Sequence, residues 1–288
     1  NYLGIANHPA LAAAAKAAID RYGCGSGASR LISGNMTLHE ELEAKLAEFK
    51  STEAALVFNS GFQANIGVLS TLAGEGDAIL SDALNHASII DGCRLSKART
   101  LVYAHCDLNG LEAALKQAAS ARRRLIVTET IFSMDGDEAP LAAVVDLAEK
   151  YDAMVMVDEA HGTGVFGANG AGVVAKLGLA SRVLIQMGTL GKALGGFGAY
   201  VAGSRELCDL LINRCRSFIF TTSLPPAVMA MALAAIDLVQ SEPQRRAALQ
   251  HNCQQLHQGL SRIGFELGQS ESPILPLIVG DAARCMAL

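Results

Sequence analysis

The sequence lacks the cysteine patterns that hold metal ions or form disulfide frameworks. Its seven cysteines, at positions 24, 93, 106, 208, 215, 253 and 285, include no Cys-x-x-Cys pair and no histidine at a spacing suited to zinc. An odd and scattered set of cysteines is typical of reduced thiols in the cytosol. The sequence therefore predicts a cytoplasmic protein without a metal site.

The sequence also lacks a membrane-spanning segment and an excess of basic residues. Its longest apolar stretch, residues 227–236, reaches Asp237 long before it could cross a bilayer, and no signal-peptide pattern opens the chain. The net charge of -5 at pH 7 argues against nucleic acid as the main partner. We expect a protein that binds neither membranes nor nucleic acid.

The sequence is rich in glycine and in short apolar stretches. It contains 28 glycines and is 51% hydrophobic, which fits a buried and mostly parallel sheet. Helical stretches separate strand-like ones, an order that favours an α/β fold. We expect a large domain over residues 1–235 and the start of a smaller C-terminal α/β domain over 236–288, with its first strand at 274–279. The strands predicted for the large domain are 55–58, 79–80, 100–103, 125–130, 154–157, 183–187 and 199–202.

Lys192 is the most informative single residue. It lies among glycines and apolar side chains in residues 187–196. Removal from water lowers the pKa of an ammonium group, so such a lysine can be neutral near pH 7 and attack a carbonyl. The pattern therefore suggests covalent catalysis.

Two alternatives compete for Lys192. A phosphate-binding P-loop also ends in Gly-Lys, but here Gln186 stands where that motif needs glycine and Ala193 where it needs serine or threonine. The second alternative is a lysine that only caps a turn, since glycine-rich loops are common. Lys192 alone leaves that second alternative open.

A second constellation follows the strand-like residues 154–157. Asp158 comes directly after this strand and His161 three residues later. Ligands of open α/β sheets collect at the carboxyl ends of strands, so Asp158 is placed to meet one. A carboxylate that stays ionised in an apolar site needs a cationic partner, and the protonated pyridine nitrogen of pyridoxal 5'-phosphate (PLP) would supply it. Taken alone, Asp158 could instead cap a turn, and His161 could be an ordinary loop histidine.

Together these residues resemble the α-oxoamine synthases, which are PLP-dependent enzymes of fold type I. The resemblance consists of blocks between residues 2 and 226 in the family's order, and any one block alone would be weak. It rests on residues 2–4, 27–35, 59–65, 85–88, 132–137, 158–162, 188–192 and 221–226. The resemblance implies a fold type I transferase with a mostly parallel large-domain sheet flanked by helices.

The resemblance also implies a role for each matched residue. Lys192 would bind PLP covalently and Asp158 would pair with its pyridine nitrogen, while His86 would stack on the ring. Ser133 and His161 would contact the phenolic oxygen of PLP. Its phosphate would be bound by Gly61, Phe62, Thr189 and, from a neighbouring subunit, Thr222. Each residue also has a purely structural alternative, because hydroxyls in loops usually bond the local backbone and a glycine can serve a tight turn.

The activity implied by the resemblance is a decarboxylative condensation. Residues 29–35 favour the members that join L-alanine to a pimeloyl thioester, on coenzyme A or a carrier protein, to give 8-amino-7-oxononanoate for biotin biosynthesis. The alternatives are 2-amino-3-ketobutyrate CoA ligase, another α-oxoamine synthase, or a non-catalytic partner subunit. The family also implies a homodimer with shared active sites. Because family chains carry a further N-terminal segment and a C-terminal substrate-binding arginine, we expect the small domain here to be incomplete.

Overall fold

A seven-stranded sheet organises the part of the chain that the computed structural model describes, residues 1–267 and 270–287. The strand order is β1-β7-β6-β5-β4-β2-β3. Only β7 runs against its neighbours, β1 and β6, while the other pairings are parallel. The strands are β1 Ala54–Phe58, β2 Ala78–Asp82, β3 Arg99–Tyr103, β4 Arg124–Glu129, β5 Met154–Asp158, β6 Ile185–Thr189 and β7 Ala199–Gly203.

Helices cover both faces of this sheet. The helices are α1 Pro9–Tyr22, α2 Thr37–Lys50, α3 Gly61–Leu72, α4 Ala87–Ser96, α5 Leu108–Gln117, α6 Leu141–Lys150, α7 Val173–Lys176, α8 Arg205–Arg214, α9 Arg216–Ile219, α10 Pro226–Ser241, α11 Gln244–Arg262 and α12 Ala282–Met286, with a π-helical turn at Arg30–Gly34. Strands β2 and β7 are buried at every position, and β7 accordingly shows no alternation of apolar and polar residues. This confirms the predicted mostly parallel α/β sheet with flanking helices. None of the helices described is both long and apolar enough to traverse a bilayer.

The parallel strands bring four polar residues to one edge of the sheet. Asp82, Glu129, Asp158 and Thr189 are the last residues of β2, β4, β5 and β6. Glu129 and Asp158 are direct register partners across β4 and β5. The carboxyl edge of the sheet, where α/β proteins bind ligands, is therefore rich in ionisable groups.

The strand predicted at 274–279 is wrong. Residues 274–280 form neither strand nor helix and pair with no strand among the described residues. Pro276 lies in the middle of this stretch and lacks the N–H that a sheet ladder needs. Strand β6 was also predicted two residues too early. The predicted domain boundary at 235/236 falls inside α10, and a separate domain over 236–288 stays a prediction.

A buried ion pair ties together three segments beneath the carboxyl edge. Lys50, the last residue of α2, donates to Glu159 and to the carbonyl of Ala171, and neither charged side chain is exposed. The other carboxylate oxygen of Glu159 accepts the N–H of Val174 at 3.0 Å. Gly172 is required here, because a Cβ at this position would lie 2.4 Å from the Glu159 carboxylate. The pair thus fixes the chain that follows β5.

We predict that Lys50→Met lowers the free energy of unfolding by about 3–5 kcal/mol, since it leaves the Glu159 charge buried without a partner. The matched control is Lys45→Met, because Lys45 pairs with an Asp237 side chain that is 66% exposed and such pairs contribute less than about 1 kcal/mol. Urea unfolding of both variants followed by circular dichroism measures the difference. Equal losses in the two variants would contradict the prediction.

Candidate active site

Lys192 lies in a loop that closes on itself between β6 and β7. Leu190 N–H donates to the Gly198 carbonyl at 2.9 Å, and Gly196 N–H donates to the Leu190 carbonyl at 2.8 Å. Gly195 has φ +65°, and a Cβ there would lie 2.7 Å from the backbone nitrogen of Ala6. The loop therefore needs its glycines for close backbone packing, and it holds the half-buried Lys192 at the carboxyl edge.

The amine of Lys192 meets His161. Lys192 Nζ lies 2.7 Å from His161 Nε2, and the other ring nitrogen, Nδ1, lies 2.7 Å from the Tyr2 hydroxyl. Burial lowers the pKa of Lys192. Burial, followed by the charges of Lys192 and His86, lowers the pKa of His161 to about 4. The imidazole is therefore neutral at pH 7, and Tyr2, His161 and Lys192 form a chain of polar groups that can hold or pass a proton.

Asp158 carries a buried carboxylate at the centre of the site. Its residue exposure is 4%. Its Oδ2 accepts from Asn65 Nδ2 at 2.9 Å, and its Oδ1 accepts from the backbone N–H of Ala160 at 2.8 Å. Within the described ranges, no basic side chain lies at ion-pair distance from it. Burial raises the pKa of Asp158, whereas the hydrogen bonds from Asn65 and Ala160 favour its charged form. A cationic N–H group placed against the carboxylate would favour that charged form further.

A chain of side chains links Asp158 to His86. Asn65 also donates to Ser88 Oγ at 2.9 Å, and Ser88 Oγ lies 2.7 Å from His86 Nδ1. His86 caps the N-terminus of α4, and its Nδ1 accepts the N–H of Ser88 at 3.2 Å. The imidazole is exposed. Its orientation is thus fixed from one side while its ring stays accessible to a ligand.

Glu129 is a second buried carboxyl group, only 2% exposed. Its Oε1 accepts the backbone N–H of His86 at 2.7 Å. Burial, and then the negative charge of Asp158, raises the pKa of Glu129 to about 8. Glu129 is therefore largely protonated at pH 7, while its position holds the backbone at His86.

The residues predicted to meet a phosphate surround the start of α3. Gly61 is its first residue, and Ser60 caps it by accepting the Gln63 N–H at 3.2 Å. Phe62 follows with a partly exposed side chain. Asn59 donates to the carbonyl of Thr222 at 2.8 Å, so the segment that carries Thr222 lies beside this helix start in the same chain. Free N–H groups at the N-terminus of a helix attract anions.

Thr189 and Ser133 lie elsewhere along the carboxyl edge. Thr189 Oγ1 donates to the Gly198 carbonyl at 3.0 Å and accepts the Gly191 N–H at 3.1 Å. Its hydroxyl is thus engaged by the lysine loop. Ser133 is half-buried on the turn that follows β4. Both roles toward a cofactor stay predictions.

Three residues without a predicted role also lie in the site: Tyr2, Asn65 and Glu129. Tyr2 and Asn65 fall within the blocks that resemble the family, and this position could have marked them as site residues. Glu129 is the last residue but one of the predicted strand 125–130, so the strand-end rule that selected Asp158 could have identified it.

The family model for aminotransferases of class I and II matches residues 1–288. The chain belongs to this family. Its curated relatives include 8-amino-7-oxononanoate synthases. The protein of Geobacter sulfurreducens is 56% identical over 288 residues, covering 99% of this chain and 74% of the relative. Synthase 1 of Bacillus subtilis is 52% identical over 281 residues, covering 98% and 72%.

Solved structures of this family superpose on the chain closely. The serine palmitoyltransferase of Sphingomonas wittichii has a TM-score of 0.96 at 40% identity and covers all of this chain and 72% of its own. The 8-amino-7-oxononanoate synthase of Francisella tularensis has a TM-score of 0.85 at 30% identity, covering 100% and 82%. A third neighbour, a serine palmitoyltransferase with PLP, has a TM-score of 0.95 at 38% identity, covering 99% and 72%. These findings confirm the predicted fold type I architecture and the resemblance to α-oxoamine synthases.

We predict that Glu129 makes stability depend on pH. Between its ordinary pKa of 4.5 and its folded value of about 8, the folded chain holds a proton that the unfolded chain has lost. The contribution of Glu129 is therefore complete below pH 4.5 and is lost as the pH rises through 8, by at most about 1.4 kcal/mol per pH unit.

Urea unfolding of the PLP-free protein between pH 5 and 8 tests this prediction. Glu129→Gln should remove this part of the pH dependence, whereas Glu75→Gln, a change at an exposed position, should keep it. Parallel pH profiles for the wild type and Glu129→Gln would contradict the assignment.

Proposed function

We propose that this chain is a PLP-dependent acyltransferase that condenses L-alanine with a pimeloyl thioester, releasing carbon dioxide and the free thiol to give 8-amino-7-oxononanoate. The observation that carries the proposal is the pair of Lys192 against neutral His161 beside the buried carboxylate of Asp158. The names of the relatives, at 51–56% identity over almost the whole chain, support this reaction.

The residues of the site fit PLP. Asp158 offers a buried negative charge for a protonated ring nitrogen, and Lys192 offers an amine of lowered pKa for the aldehyde. The exposed ring of His86 suits stacking on a pyridine face. Of the remaining matched residues, Ser133 and His161 would meet the phenolic oxygen, and Gly61, Phe62, Thr189 and Thr222 the phosphate. When bound, PLP supplies an electron sink that stabilises negative charge at the α-carbon of the amino acid.

The protein's own residues would move one proton. Lys192 Nζ would hold the cofactor and would also be the base that accepts the α-proton of the amino acid, a role that requires the neutral amine that burial favours. His161 Nε2 lies within hydrogen-bond reach of that amine and keeps it oriented. Asp158 would pair with the cationic ring nitrogen, which would favour its charged form against burial, while protonated Glu129 adds no second negative charge beside it.

Three alternatives can be distinguished from this reaction. The first is a serine palmitoyltransferase, since such an enzyme superposes closely on the chain. The second is 2-amino-3-ketobutyrate CoA ligase, which would use glycine. These enzymes differ in the amino acid side chain accepted, and one methyl group gives about 1–3 kcal/mol of discrimination. A non-catalytic subunit would lack the amine, whereas Lys192 is present and meets His161.

We predict that Lys192→Ala loses the visible absorption band of the lysine-bound cofactor and lowers kcat/KM by at least about 100-fold. The matched control is Lys116→Ala, because Lys116 is an exposed residue of α5 that pairs with Glu112. Spectra with PLP and release of free thiol from a pimeloyl thioester measure the two effects. A Lys192-independent band would overturn the assignment.

The same assay identifies the amino acid. L-Alanine should support thiol release with a kcat/KM about tenfold or more above that of glycine or L-serine. Preference for glycine would instead favour the ligase, and preference for L-serine the palmitoyltransferase.

We also infer a homodimer, in which each subunit completes the site of the other. Hydrogen bonds join residues 28–34, 59–62 and 220–223: Ser223 bonds to Ala28 and Gly34, and Asn59 to Thr222. This joined surface exposes large apolar side chains at Leu31, Ile32, Phe62 and Phe220. Contiguous exposed apolar patches mark interaction sites.

A cytoplasmic location stays a prediction.

We predict that Ile32→Asp shifts the protein toward monomer and weakens PLP retention, since Ile32 is 81% exposed on this surface. Sedimentation velocity across a concentration series measures the mass. The control is Val102→Asp, another exposed apolar residue, on the edge strand β3. Full activity from a monomeric wild type would contradict the dimer.

A further inference from the structure

Three segments far apart in the chain bring a histidine, a cysteine and two carboxylates together. Asp82 ends β2, His105 and Cys106 follow β3, and Asp137 lies on the turn after β4. One ligand atom from each of Asp82, His105 and Cys106 lies within 4.8 Å of the others. Asp137 joins them, because its Oδ2 lies 2.7 Å from His105 Nε2. Sequence spacing could not reveal this cluster.

Asp82 fixes the orientation of the imidazole. Its Oδ1 lies 2.9 Å from His105 Nδ1. The carboxylate also accepts the backbone N–H groups of Leu84 and Cys106, each at 2.9 Å, and its side chain is 1% exposed. With Nδ1 engaged, Nε2 faces Cys106 and Asp137. A carboxylate that holds one ring nitrogen so that the other binds a metal is a common arrangement around metal-bound histidines.

The three facing atoms have nearly the separations of a tetrahedral zinc site. Cys106 Sγ lies 3.6 Å from His105 Nε2 and 3.9 Å from Asp137 Oδ2. Ordinary zinc bond lengths place sulfur about 3.6 Å from nitrogen or oxygen ligands, and nitrogen about 3.4 Å from oxygen. Only the distance between His105 Nε2 and Asp137 Oδ2, which is 2.7 Å, would have to increase. An ion would take the place of the proton that these two atoms share.

Two further observations indicate a built site. Cys106 has φ +54°, a left-handed conformation that costs a non-glycine residue energy and often marks functional positions. The other oxygen of Asp137, Oδ1, is buried without a hydrogen-bond partner among the described residues. Cys106 and His105 are both partly exposed, so an ion can reach them.

A nucleophilic Cys-His-Asp triad would be the other use of these groups. The carboxylates of Asp82 and Asp137 both lie close to the Cys106 sulfur, that of Asp137 with its Oδ2 at 3.9 Å. A bare thiolate is therefore disfavoured between two carboxylates. The same negative charges attract a divalent cation, which could compensate a thiolate in its place.

We propose that Cys106 Sγ, His105 Nε2 and Asp137 Oδ2 form a binding site for one divalent ion of the zinc class, with Asp82 as the positioning residue of His105. The mixed sulfur, nitrogen and oxygen set suits a borderline cation rather than Mg²⁺ or Ca²⁺. Binding releases the thiol proton and the proton between His105 and Asp137. The ion would fasten the turn that carries Ser133 to the loop after β3. This site does not depend on the proposed reaction.

Zinc competition between the PLP-loaded protein and a chromophoric chelator tests the proposal. The wild type should bind one ion per chain, and Cys106→Ser should weaken this binding at least tenfold. Asp82→Asn should weaken it about 10–100-fold, as loss of an orienting carboxylate does. Cys24→Ser is the matched control, because Cys24 is an exposed thiol outside the cluster, and its affinity should equal that of the wild type.

Cobalt substitution in the wild type keeps the test independent of variant folding. A tetrahedral Co²⁺ spectrum with a thiolate charge-transfer band would support the site, and thermal unfolding identifies any variant that has not folded. No binding by the wild type, a spectrum without the thiolate band, or equal affinity in folded Cys106→Ser would each overturn the proposal.

Discussion

The buried pair of Lys50 and Glu159 is the interaction on which the site's geometry depends. Glu159 directly follows Asp158, and its carboxylate holds Lys50 at the end of α2 and the Val174 N–H at the start of α7. The segment between them therefore leaves the sheet in one direction, and it carries His161 to Lys192. A buried pair costs desolvation energy, and here it connects the end of β5 to two helices that sequence places far away.

Charge is distributed unevenly around the pair. At the carboxyl ends of β4 and β5, Glu129 and Asp158 are register partners. Two like charges this close in a buried region oppose each other's ionisation. Asp158 receives donors from Asn65 and Ala160, whereas burial and Asp158 raise the pKa of Glu129 to about 8. The donors around Asp158 thus favour its charged form against the burial that raises its pKa, whereas burial and Asp158 together suppress the charge of Glu129.

Local patterns predicted much of this arrangement, and long-range contacts account for what they missed. The strand ending at Asp158 and the glycine loop around Lys192 were visible because each is set by a few neighbouring residues. Tyr2 is 159 positions from His161, and the His105 cluster draws on three separate segments, so no spacing rule reveals either. The strand predicted at 274–279 is wrong although the stretch is apolar, because Pro276 lacks the N–H that a sheet ladder needs.

The reversal of β7 has a consequence for the entropy of the site. Thr189 and Ala199 are register partners, so the lysine loop joins two adjacent strands directly instead of crossing over through a helix. Both of its ends are anchored in the sheet, and the internal bond between Gly196 and Leu190 shortens its free length. A short closed loop has little conformational freedom to lose. Much of the cost of ordering the Lys192 backbone is therefore met when the chain folds, before any ligand arrives.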